Sequence, residues 1–89
     1  MTPDEARAAV ADFDLLRIET VRTDYAPDGT NGPHRYAGWR VHAYLERIDG
    51  MCPSDRDLDA FRMVELARDD TAVVARVGVQ VVVNTYLKA

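Results

Sequence analysis

Apolar and polar positions divide the chain into five patterned stretches separated by turn-forming residues. The first opens on Thr2-Pro3-Asp4-Glu5, where Thr2 is a capping hydroxyl, Pro3 fits the first helical position and Glu5 completes a capping box. Ala6, Ala9, Val10 and Phe13 follow at helical spacing as one narrow apolar stripe, so a helix is predicted from Pro3 to Asp12 or Phe13. Leu15 to Ala26 is rich in Ile, Val, Thr and Tyr and is predicted as a strand, although its alternation is imperfect and the first helix could instead continue through Leu16, Thr20 and Val21. Pro27 to His34, PDGTNGPH, is turn material almost residue by residue.

Arg35 to Gly50 fits two templates. As a strand it places Trp39, Val41, Ala43 and Leu45 on one face and Arg40, His42, Tyr44 and Glu46 on the other. As a helix it offers a stripe of Ala37, Val41, Tyr44, Leu45 and Ile48. The loop before it and Gly38 within it favour the strand, since a glycine costs a helix about 1 kcal/mol relative to alanine. Ser54, with Asp57 three residues on, starts a second helix through Leu58 to Arg68; the competing reading makes Phe61 to Ala67 a strand.

Seven of the eleven residues from Val73 to Val83 are valine, and branching at Cβ suits a pleated surface better than a helix. From Arg76 the alternation is strict. Val77, Val79, Val81 and Val83 fall on one side, with Arg76, Gly78, Gln80, Val82 and Asn84 on the other. A strand this low in charge invites pairing if its edge is open. It is therefore predicted to be central, or sealed in a homodimer through Val77, Val79, Val81 and Val83.

The predicted architecture is α+β: helix, strand, strand, helix, strand, in two layers with a mainly antiparallel sheet, as a single domain over residues 1–89. A helix with four antiparallel strands is the alternative. A third reading rests on a resemblance. The stretch Phe61 to Ala89, through Val74-Ala75, the turn-like Val77-Gly78-Val79-Gln80 and Asn84-Thr85-Tyr86-Leu87, resembles a compressed helix-turn-helix of the bacterial regulator type. That resemblance covers about a third of the chain. It implies an all-α protein and a DNA-binding regulator acting through residues 71–88, with Gln80, Asn84 and Thr85 at the bases. The chain departs from the pattern at Val81, Val82 and Val83, where base-contacting polar side chains belong.

Composition narrows the function classes. The 89 residues carry a net charge of −4, which opposes non-specific binding to nucleic acid or anionic membranes. The chain has no apolar run long enough to span a bilayer, and its acidic N-terminus is unlike a signal peptide. It is therefore read as a complete, soluble cytoplasmic protein. Ten arginines against one lysine, with 23 alanines and valines, suggest a GC-rich bacterial (actinobacterial) or bacteriophage coding sequence.

Candidate chemistry is sparse. Cys52 is the lone cysteine, so no intrachain disulfide forms. His34 and His42 have no metal-site spacing, and a minimal metal-binding or enzymatic domain using them with Cys52 is the third functional class. Asp24, Asp28 and Gly29 fall at calcium-loop positions, but Ala26 and Arg35 stand where two further ligands are needed. Asp55, Asp57 and Asp59, and the pair Asp69 and Asp70, read as caps and solvated positions. No cofactor is expected. The leading expectation is a non-enzymatic protein-interaction or regulatory module, with Arg35, Tyr36, Arg40, His42 and Tyr44 as a partner-binding face, because arginine and tyrosine dominate interface hot spots.

Overall fold

The computed structural model describes residues 1–25, 36–69 and 72–88. Six elements follow in order: α1 (Pro3–Val10), β1 (Phe13–Tyr25), β2 (Tyr36–Arg47), α2 (Asp55–Arg68), β3 (Val73–Val77) and β4 (Gln80–Lys88). Both helices start where their caps predict. Thr2 Oγ1 accepts from Glu5 N–H while Glu5 accepts from Thr2 N–H, and Ser54 and Asp57 exchange the same pair of bonds. The strand reading of Phe61 to Ala67 is overturned, since capping and helix-favouring residues carry α2 through to Arg68.

The sheet is four-stranded and antiparallel, in the order β1-β2-β4-β3. The architecture is thus α+β with four strands. The fourth strand comes from the valine segment, which is two strands and not one. Val77 pairs with Gln80 across a two-residue turn, Gly78-Val79. Gly78 has φ +60°, and no non-glycine residue among those described has positive φ. A glycine at the first central position followed by a negative φ marks a type II′ turn, whose twist matches that of paired strands. The periodicity misled because it ran one phase through the turn, whereas the pairing puts Val77 on the face of Gln80 and Val82, away from the core positions Val74, Val81 and Val83. The all-α helix-turn-helix is overturned by the same hairpin, which occupies the span that would hold the recognition helix.

One face of the sheet carries the core. Phe13, Val74, Val81 and Val83 pack with Leu58 and Phe61 of α2, and Val10, Ala43 and Leu45 close on them. The rings of Phe13 and Phe61 meet edge to face at 4.9 Å. Val81 and Val83 are 0 % and 5 % exposed, because β4 is a central strand beneath α2. The helix end of the core is fixed by charge. Asp57, 6 % exposed, accepts from Arg47 Nη1 at 3.0 Å as well as from Ser54 N–H, tying β2 to the start of α2. Glu5 and Arg56 join α1 to α2 at 3.1 Å.

Candidate interaction surface

Register assigns the side chains to faces. Leu15 lies opposite Leu45, Ile18 opposite Ala43 and Thr20 opposite Val41, all on the core side. On β4, Val81, Val83 and Thr85 continue that face across Leu45, Ala43 and Val41. The helices cover it unevenly. Where α2 lies over Val81 and Val83 the face is buried, but Leu15 and Ile18 on β1 are 55 % and 57 % exposed. Between them runs a groove of about 340 Å³, floored by Leu15, Ile18, Val41, Ala43, Leu45 and Val83, with Glu65 and Arg68 of α2 on its wall. Trp39, predicted on the same face as Val41 and Ala43, is 38 % exposed and stacks with the Arg22 guanidinium at 5.5 Å. The helices thus leave the β1 side of this face open while they bury Val81 and Val83.

The opposite face holds Arg40, His42 and Tyr44 on β2, next to Val21, Glu19 and Arg17 of β1. Tyr44 is engaged within the chain. Its hydroxyl donates to Glu19 Oε2 at 3.0 Å, and the Arg17 guanidinium lies 4.1 Å from its ring centre. The bond to Glu19 holds the phenol above its ordinary titration range, because losing the proton would break it and set two anions side by side. Arg17 and Glu19 also pair directly at 2.7 Å. Tyr36 opens β2, and Arg35 and His34 lie outside the described residues, as do the turn and the calcium-like positions Asp28 and Gly29.

The self-association set is dispersed. Val77 lies at the end of β3, Val79 in the turn, and Val81 and Val83 in the core. The residues proposed for DNA contact do not share a helix: Gln80 starts β4, Asn84 faces His42 and Val73, and Thr85 lines the groove. The strand over Leu15 to Ala26 is found as β1, but sequence reasoning missed its exposed aliphatic row. Leu15, Leu16, Ile18 and Val21 are each about half exposed on this edge strand, and the imperfect alternation of the segment was their signal. The structural reason is a bulge between Leu15 and Arg17, which shifts the inward positions by one.

A second charged cluster lies at the end of β2. Arg47 binds Asp49 through both oxygens, at 2.9 and 2.7 Å, and Asp57 at 3.0 Å. Asp49 is held down to about 2, first by Arg47 and then by the Met51 backbone N–H; Arg47 is held up by the same carboxylates. Among the described residues no three His, Cys, Asp or Glu side chains gather to hold a metal ion. No described helix is long and apolar enough to cross a membrane. No protein-family model matches the chain, and no curated protein or solved structure matches it significantly.

Proposed function

We propose that this chain is a non-enzymatic interaction module whose binding surface is β1 together with the open, apolar half of the helix-facing side of the sheet. The observation that carries the reading is the half-exposed row Leu15 and Ile18 over a groove whose floor is aliphatic. Contiguous apolar surface rimmed by charged residues is characteristic of protein contact sites. The shape of the fold agrees. Its Cα radius of gyration is 14.7 Å, against about 12 Å for a compact globule of this length, so the β1-β2 ribbon is under-packed by its own chain.

A photo-crosslinking residue in place of Ile18, in cells that naturally express the chain, tests this. Adducts at position 18 that are missing from a control at Val77 are the expected result. No adduct at position 18 overturns the reading. The polar face of Arg40, His42 and Tyr44 is the second proposed surface, favoured by the ready-built Arg17–Tyr44–Glu19 cluster. A crosslinker at Arg40 with adducts that survive Ile18→Arg would select it.

A further inference from the structure

We infer that the occupant of the β1 edge is a second copy of this chain, paired β1 to β1 about a two-fold axis at Ile18; this rests on the reading of β1 as the binding surface. At thirteen residues, β1 is the longer of the two edge strands, β3 having five. Edge strands are usually blunted by shortness, bulges, proline or charge. β1 is long and lacks proline and lysine, its bulge lies near one end so that pairing is regular from Arg17 on, and four aliphatic side chains along it stand about half exposed.

Charge and the length of overlap then select both the partner and the register: an axis at Thr23 also pairs Arg22 with Asp24 but overlaps only residues 21–25 of the strand. A two-fold axis perpendicular to the sheet pairs residues of the same face, so on the regular part of β1 it passes through a residue and pairs neighbours symmetrically about it. Centred on Arg17 it opposes two arginines, and centred on Glu19 two glutamates, both unfavourable. Centred on Thr20 it sets Ile18 against Arg22 and Glu19 against Val21. Centred on Ile18 it sets each Arg17 against the other copy's Glu19, twice over, with Ile18 against Ile18 on the apolar face. Arg17 and Glu19 project from one face and are already mutual partners at 2.7 Å, so the same two groups serve across the seam. The assembled sheet has eight strands, and the two β1 edges disappear into its centre.

The test is sedimentation equilibrium or size exclusion with light scattering on the full chain and on charge-reversed variants, each checked for folding by circular dichroism. The wild-type chain is expected at twice its 10.0 kDa mass at about 100 µM. Arg17→Glu and Glu19→Arg should each weaken the dimer about tenfold to a hundredfold, since both symmetric pairs turn repulsive. Mixing the two single variants should restore a dimer containing one of each, and the double reversal should self-associate as the wild type does. A monomeric wild type overturns the inference, as does a dimer indifferent to either reversal or a mixture that fails to associate. A monomeric wild type that still gives position-18 adducts with a different protein overturns self-pairing alone and leaves the interaction reading standing.

Discussion

Replacing Asp57 by alanine should be among the most damaging single changes on the polar side of the fold. Asp57 is the buried charged residue among those described, and its carboxylate receives Arg47 Nη1 at 3.0 Å and Ser54 N–H at 2.9 Å. Losing half a capping box costs about 1 kcal/mol. Stripping one partner from a buried ion pair costs about 3–5 kcal/mol when the other is left alone. Here Arg47 keeps Asp49 and part of its hydration, which lowers that contribution, so the total should be about 2–4 kcal/mol. A chain of this length is stable by about 4–13 kcal/mol, so the loss is a large share. Urea unfolding followed at 222 nm should show the midpoint falling by about 2 M, and thermal unfolding a Tm lower by about 10–25 °C. Asp57→Asn, which keeps an acceptor for Ser54 N–H but no charge, should fall between alanine and wild type. A midpoint shift under about 0.5 M for alanine would show that the Arg47–Asp57 contact is an ordinary surface pair and refute the argument.

Gly78→Ala should cost about 1–2 kcal/mol by urea titration, because φ +60° at the turn is strained for any residue with a Cβ; an unchanged midpoint would mean the hairpin turns differently. Phe61→Ala, which empties the centre of the core beneath Phe13, should cost about 3–5 kcal/mol and leave the chain partly unfolded by circular dichroism at 37 °C. The depressed Asp49 carboxyl contributes stability that is complete above its ordinary value of 3.8 and is lost as pH falls through about 2. Asp49→Asn should therefore flatten the stability profile between about pH 4 and 2, and carboxyl-carbon NMR should place the Asp49 titration below its ordinary value of 3.8 if the Arg47 contact holds. Glu19→Gln should bring the Tyr44 phenol down toward its ordinary value of 10, read as tyrosinate absorbance on alkaline titration; no change would remove Glu19 as its acceptor.

Local chemistry was legible in the sequence wherever neighbouring residues supply the cause. Thr2 with Glu5, and Ser54 with Asp57, start both helices through bonds that span three residues, so their spacing alone determines them. The alternation of Trp39, Val41, Ala43 and Leu45 against Arg40, His42 and Tyr44 likewise survives into β2, because strand geometry imposes a period of two. The valine segment shows the limit of that signal. An unbroken strand would put Val77 on the face of Val81 and Val83, whereas the pairing of Val77 with Gln80 reverses the phase at the turn and sets it on the other face.

Burial was decided by the tertiary structure. Val81 and Ile18 are equally apolar, yet one is sealed and the other half exposed, because β4 takes a central place beneath α2 while β1 stays at the edge. The bulge at Leu15/Arg17 then turns Leu15 and Ile18 to one face across an odd spacing, which no periodicity read from the sequence would assign. The sequence thus determined which segments fold locally and how their ends are capped, since those causes lie within a turn or two of chain. Strand order, and with it the surface left uncovered for a partner, comes from long-range pairing of β2 with β4, which no local pattern encodes.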